Sequence, residues 1–339
     1  MLKTAASAWG QRITLLIIIC IVMAIFQPVF FRPNNASNIL QAIAAIGIMV
    51  CGMLFTVLVG GLDLSVASMA GLAASLSFKI AEQSSYTNAG FLAGCAFAFL
   101  FCLVVGFLNG FLVTRFGLPA FVVTLAMKYV LFGCIPFITD GYLIINPKSG
   151  LIHQIGNLVV LRIPIGADTL RVPMPIIILI VVVAISAFVL GKTTYGRKLY
   201  AIGGNKNVAN LVGINSNMNI IATFMISSFL AGLGGIMLAS MNGQGGLQTA
   251  LGYEGNVLMA MVVGGINLAG GEGGVPGAIF GALLVGIINN VMMLLGVSSD
   301  IQTFVRGAII LGAMTLNMYA RRGTSVKAII IRPNRDATT

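Results

Sequence analysis

Apolar residues run along this chain in long blocks separated by short polar ones. The blocks cover about residues 13–31, 39–60, 65–81, 89–114, 118–138, 173–190, 217–240, 253–268, 275–296 and 301–319, most of them close to the ~20 residues that carry a helix across a bilayer. The pattern predicts an all-α polytopic membrane protein of about ten transmembrane helices, forming one domain over residues 1–339. In the eighth block Gly252, Gly255, Gly264 and Gly265 interrupt the apolar run, so a broken or re-entrant helix is expected there. The first block follows Lys3 and Arg12 in the manner of a signal peptide, but Met23 to Pro28 offers no small-x-small cleavage site, and a retained helix is expected.

Composition removes the other classes. Hydrophobic residues make up 58% of the 339 and charged residues only 8%, against roughly 25% charged in a soluble domain. A disordered chain, a disulfide-stapled secreted domain and a nucleic-acid binder are excluded. The net charge of +11 therefore speaks to topology. With an N-terminus in the cytoplasm, the inner segments hold Lys3, Arg12, Arg115, Lys192, Arg197, Lys198, Lys206, Arg321, Arg322, Lys327, Arg332 and Arg335, while the outer ones hold Arg32, Lys79, Lys148, Arg162 and Arg171. This bias predicts that both termini are cytoplasmic.

Two connections exceed simple turns. The outer one, residues 140–171, mixes turn residues with short apolar patches, so it has room for a small helix or hairpin where an external partner could dock. The inner one, residues 192–215, places Asn205 ahead of a short helix to Leu211 and Gly213 behind it, which are cap and stop signals. A short basic helix held between two membrane helices suits transmission of force to a cytoplasmic partner.

Several motifs fail on inspection. Gly191-Lys192-Thr193 imitates the end of a P-loop, but Ser186 stands where its first glycine belongs. Gly270-Gly271-Glu272-Gly273-Gly274 is followed by Pro276 and lacks a preceding strand, so a tight turn is expected rather than a phosphate cradle. The cysteines lie within apolar runs and the only histidine is His153, which predicts no metal site and no cofactor on this chain. Gly60-Gly61-Leu62-Asp63-Leu64-Ser65 is echoed by Gly264-Gly265-Ile266-Asn267-Leu268-Ala269. Paired glycines permit a break or a close approach, and Asp63 and Asn267 are expected to cap the helix that follows, Asp63 being alternatively a proton or cation site.

For a solute path the candidates are Asn109, Phe121, Thr124, Asn242, Gln244, Asn267, Asn289 and Asn290, with Lys128, Arg306 and Glu254 as charged groups in or beside helices. Amides donate and accept toward hydroxyls while rings cover an apolar sugar face; interhelical bonding is the alternative role. No zincin motif, nucleophile–base pair or carboxylate pair at helical spacing suggests an enzyme.

The chain resembles the membrane-spanning permeases of bacterial ABC importers for simple sugars, the ribose, galactose and xylose group. The likeness is carried by Gly60 to Val66, by Asn109-Gly110 with Leu118 to Leu125, by Tyr195-Gly196-Arg197 through Asn205 to Gly213-Ile214, by Gly252-Tyr253-Glu254 and Val262 to Gly265, and by Leu268 to Gly271 with Leu295-Gly296-Val297. It implies a multi-pass protein of the bacterial inner membrane that moves a monosaccharide. The implied partners are a cytoplasmic ABC ATPase hydrolysing ATP with Mg, a periplasmic sugar-binding protein, and a second permease subunit, identical or paralogous. Gly196, Arg197, Gly204, Asn205 and Gly213 then become the expected ATPase-coupling residues. Ala67, Asn256 and Ile266-Asn267 depart from the usual pattern, so the resemblance implies a class of sugar rather than a single one. An ion-coupled secondary transporter is the alternative, favoured if Asp63, Glu254, Lys128 and Arg306 form a relay.

Overall fold

The computed structural model describes residues 27–165 and 168–330, with side chains as far as 315, and scattered positions between 10 and 25. The expected first crossing, the N-terminal basic residues and the side chains of the last ones fall outside the described residues.

After a short 3-10 turn at Pro28–Phe31 come helices α1 (Pro33–Leu58), α2 (Val66–Gln83), α3 (Asn88–Arg115), α4 (Ala120–Thr139) and the small α5 (Gly150–Asn157). They are followed by α6 (Met174–Lys192), α7 (Thr194–Gly204), α8 (Lys206–Leu211), α9 (Ser216–Asn242), α10 (Tyr253–Val263), α11 (Val275–Leu294) and α12 (Ser299–Ile330). Strand β1 (Ile144–Ile145) pairs antiparallel with β4 (Gln244–Gly245), and β2 (Val159–Ile165) pairs antiparallel with β3 (Asp168–Pro173). The long outer connection thus holds both a helix and a hairpin. Among the described residues, six helices, α1, α3, α4, α6, α9 and α11, are long and apolar enough to cross a membrane. The eighth apolar block is broken: α10 has only 11 residues, about 16 Å of rise, and irregular chain precedes it.

Successive helices alternate in direction, giving two ends. At one end, called here the Lys192 end, the connections 59–65, 116–119, 193–215 and 264–274 gather. At the other, the hairpin end, lie 84–87, 140–173, 243–252 and 295–298.

Burial sorts the helices into centre and perimeter. In α1, 78% of the most apolar stretch is buried, and in α9 67%, whereas α4 and α6 have 22% and 28%. Small residues let the neighbours of α9 pack closely on it. In α3, Gly106 and Gly110 stand one turn apart, and a Cβ on either would come 2.6 Å from a backbone Cα of α9, Met225 or Ile221. This is the small-xxx-small spacing by which membrane helices approach backbone to backbone. The perimeter helices instead expose large apolar side chains, including Phe121, Tyr129 and Phe137 on α4 and Ile185 and Phe188 on α6, as lipid or a partner helix requires.

Candidate functional site

Three polar features stand out in this apolar bundle. The first is at the Lys192 end, where α1 stops. Gly60 has φ +78°, and Gly60 N and Gly61 N donate to Val57 O and Thr56 O at 2.9 and 2.8 Å, the paired bonds of a left-handed helix stop. After α10 the same pair recurs from Gly265 N and Ile266 N to Val262 O and Met261 O, both at 3.0 Å, with Gly265 at φ +69°. The sequence echo is therefore also a conformational one. Its second halves diverge. Asp63 Oδ1 accepts from Ser65 N at 3.0 Å and Ser65 Oγ at 2.6 Å, turning the chain into α2, and Asp63 Oδ2 accepts from Ser227 Oγ of α9 at 2.7 Å. Asn267 instead closes a local turn on Ala269 N and Gly270 O. It caps no helix, because α11 begins only at Val275.

Asn109 belongs to this network, not to an open passage: it is fully buried and donates to Ser65 Oγ at 3.2 Å. Thr124, buried on α4, accepts from Leu64 N at 3.1 Å and donates to Leu62 O at 2.9 Å, so α4 is tied to the same turn. Asp63 thus engages serines, apart from the other charged groups, and the four-residue relay does not form.

The second feature is a cleft of about 190 Å³ between α2, α4 and the chain leading into α10, lined among others by Ser68, Gly71, Lys128, Tyr129, Phe132 and Glu254. That is smaller than the ~300–1,000 Å³ common for small-molecule sites. Lys128 Nζ meets Glu254 Oε1 at 2.6 Å, with both side chains mostly covered. Lys128 sits about 12 Å along α4 from its Ala120 end, near mid-membrane, and Glu254 occupies the first turn of the short α10. A carboxylate there suits the partial positive charge of a helix N-terminus. Asn289, half-buried, donates to Asn256 Oδ1 of α10 at 3.4 Å and keeps its own Oδ1 buried without a partner. Phe121 is exposed on the outer face of α4, away from the cleft lining.

The remaining predicted path residues lie elsewhere. Asn290 and Asn35 exchange amide bonds at 2.9 and 3.0 Å, a reciprocal interhelical clasp between α11 and α1. Asn242 is exposed at the hairpin end and Gln244 lies in β4, opposite Ile145. The eight candidates are therefore spread over the whole height of the bundle rather than gathered into one passage.

The third feature is the helix pair α7–α8. Asn205 Oδ1 accepts from Asn207 N and Val208 N at 3.0 and 3.1 Å, capping α8. Gly213 at φ +83° ends the segment that follows it. Gly196 does not set a turn; it lies in the first turn of α7, where a Cβ would strike Leu190 O and Val189 O at the end of α6. Gly204 has open space around it. Its neighbour Gly203 carries the contact: a Cβ there would collide with Leu58 O and Gly271 N, which are themselves bonded at 2.9 Å. Tyr200 adds a bond to Gly273 O at 2.9 Å, and burial pushes its phenol above the ordinary value, so it remains a donor. The imitation P-loop is a helix junction, with Thr193 Oγ1 accepting from Gly196 N at 3.2 Å. Outward, α8 presents Val208, Leu211 and Val212, with Leu211 86% exposed, beside exposed Arg197, Lys198 and Lys206. Among 42 glycines nothing in the sequence marks Gly203, and the apolar tip shows only as Val-x-x-Leu-Val inside a polar stretch.

A bundle of bilayer height, with a cleft holding a Lys–Glu pair and an exposed, capped helix pair at one end, fits a multi-pass membrane transport protein. The chain belongs to the family described as branched-chain amino acid transport system, permease component, which matches residues 35–314. It is similar to the ribose import permease proteins of Haemophilus influenzae, 34% identical over 90% of this chain and 91% of the relative, and of Bacillus subtilis, 33% identical over 89% and 90%. The L-arabinose transport system permease protein of Escherichia coli is 32% identical over 93% of this chain and 92% of its own length. No solved structure matches the chain.

Proposed function

We propose that this chain is the membrane-spanning subunit of an ATP-driven importer that moves a monosaccharide across the bacterial inner membrane. The observation that carries the coupling is the α7–α8 pair, whose apolar, basic tip stands clear of the bundle while its base is packed on Leu58 and Gly271. A cytoplasmic ABC ATPase seating that tip could move the ends of α1 and α10 directly. ATP and Mg would be handled by that partner, and an external sugar-binding protein would deliver the solute at the hairpin end.

The names of the ribose and arabinose relatives support a pentose-type solute. The Lys128–Glu254 cleft is our candidate for its passage, with Tyr129 and Phe132 as apolar sugar-facing surfaces and Asn289 as a neighbouring amide. Its mouth opens beside the exposed face of α4, so a second permease subunit on that face would complete the wall. The six long helices, together with α2, α10 and α12, support a multi-pass bundle; we read the N-terminal apolar block as a further crossing, making ten, and place both termini in the cytoplasm on the charge bias of the connections.

Reconstitution tests this reading. Vesicles holding the chain with its ATPase and binding protein should accumulate ribose or arabinose only with internal ATP. Accumulation driven by a proton or sodium gradient, without the ATPase, would refute it.

A further inference from the structure

The β2–β3 hairpin has one apolar and one cationic face. Its register sets Leu161 opposite Val172 and Ile163 opposite Leu170, and between these pairs sets Arg162 directly opposite Arg171. Side chains directly opposite share a face and neighbouring pairs alternate. One face is thus apolar apart from Asp168, which stands opposite Ile165 at the turn end, with Leu161, Ile163 and Ile165 all exposed, and the other bears two exposed guanidinium groups side by side. Like charges directly opposite repel, and neither arginine has an ion-pair partner among the described residues.

The position of the hairpin follows from its bond to α1, Arg171 N to Ser37 Oγ at 2.9 Å. The rise from Ser37 to Leu58 is about 32 Å along the helix, against a hydrocarbon core of about 30 Å. The hairpin therefore lies at the level of the lipid headgroups. It is also on the perimeter, because β3 runs directly into α6, a helix that is mostly uncovered.

Where the hairpin ends, a groove begins. It runs from Met174 along Ile178, Val181 and Ile185 to Val189 of α6, with Phe229 of α9 and Leu103 of α3 on its other wall, and has a volume of about 780 Å³. Its lining is almost wholly apolar. An aqueous solute has nothing to bond there, whereas an acyl chain fits both its chemistry and its length.

We propose that hairpin and groove together hold an anionic phospholipid, with the phosphate between Arg162 and Arg171 and an acyl chain along α6. The headgroup would relieve the repulsion between the two guanidinium groups, and the chain would fill a surface that no helix among the described residues covers. Arg171 stands three residues before Met174, so headgroup and groove are within reach of one molecule.

Native mass spectrometry of the full-length chain tests this, using phosphatidylglycerol, the uncharged diacylglycerol with the same chains, and inorganic phosphate as separate probes. Phosphatidylglycerol should be retained. The Arg162→Gln/Arg171→Gln variant should lose roughly thirtyfold of that retention, about fivefold for each arginine at an anionic surface, while diacylglycerol retention stays unchanged. Because both side chains are exposed, the variant should fold, and Arg162→Lys/Arg171→Lys should keep most of the binding. Val181→Trp, which fills the groove, should weaken both lipids. Equal retention of phosphatidylglycerol by the Gln variant would overturn the proposal, as would full displacement of the lipid by inorganic phosphate. Lipid retention that is unchanged while capture of the external sugar-binding protein is lost would also overturn it, making the hairpin a protein-docking surface.

Discussion

Gly203 and Gly204 are adjacent, and one methyl group added to each should have opposite consequences. At Gly203 the new Cβ would meet Leu58 O and Gly271 N, which are backbone atoms of two different segments and cannot swing aside like a side chain. Overpacking of this kind costs about 1–3 kcal/mol, and parting Leu58 from Gly271 removes a hydrogen bond worth about 0.5–1.5 kcal/mol. The packed junction should lose roughly 2–4 kcal/mol, a shift of about a hundredfold near the middle of that range. At Gly204, the last residue of α7, nothing lies within 4 Å and φ is outside the left-handed region, so alanine fits there without strain. Gly203→Ala should therefore leave membrane insertion and ATPase binding intact but raise the ATP hydrolysed per sugar imported at least severalfold. Gly204→Ala should match the parent. The assay is paired ATPase and uptake measurement in the same vesicles, with tryptic sensitivity of α7–α8 as a readout that needs no partner. If the two variants behave alike, force does not pass through this junction.

Other outcomes follow from the remaining bonds. Asp63→Asn can keep both the acceptor for Ser65 and a donor toward Ser227, so it should retain thermal stability, while Asp63→Ala strands buried partners at about 1–3 kcal/mol each and should melt well below it. Lys128→Ala leaves Glu254 unpaired beside the cleft and should reduce uptake. Adding Glu254→Gln should recover part of the loss, with a coupling energy on the order of 1–2 kcal/mol in a double-mutant cycle. Asn290→Ala should lower stability by breaking its exchange with Asn35, whereas Asn289→Ala should lower uptake with little change in melting; the reverse pattern would move the passage away from α10. Asn205→Ala should cost about 0.5–2 kcal/mol, seen as faster hydrogen exchange confined to α8.

Local signals read well from the sequence. From residue 39 onward the apolar blocks match helix positions to within a few residues, except that α1 and α12 extend further and α10 stops at Val263, short of the block's end at 268. Asn205 and Gly213 bracketed a real helix, and the glycines around residues 252–265 marked a real break. Each signal acts over one turn of chain, which is why it is visible in one dimension. Asp63 and Ser227 are 164 positions apart, and no spacing announces their bond. The amides show the same limit from the other side: Asn289 and Asn290 are neighbours in sequence, yet helical geometry turns one toward α10 and the other toward α1. Gly203 and Gly204 differ only in what faces them.

The shortness of α10 bears on how the protein is made. A helix that leaves the translocation channel alone must satisfy the bilayer by itself, and about 16 Å of rise cannot span about 30 Å of hydrocarbon. Its missing length lies in irregular chain whose backbone groups need protein around them. The neighbour that receives it is α11, where Gly281 abuts Ala260 and Gly264 backbone and leaves no room for a side chain. Helix α1, made earlier, already offers it one packed side, and α11 supplies the other, so α10 is expected to settle fully only after synthesis has passed Leu294.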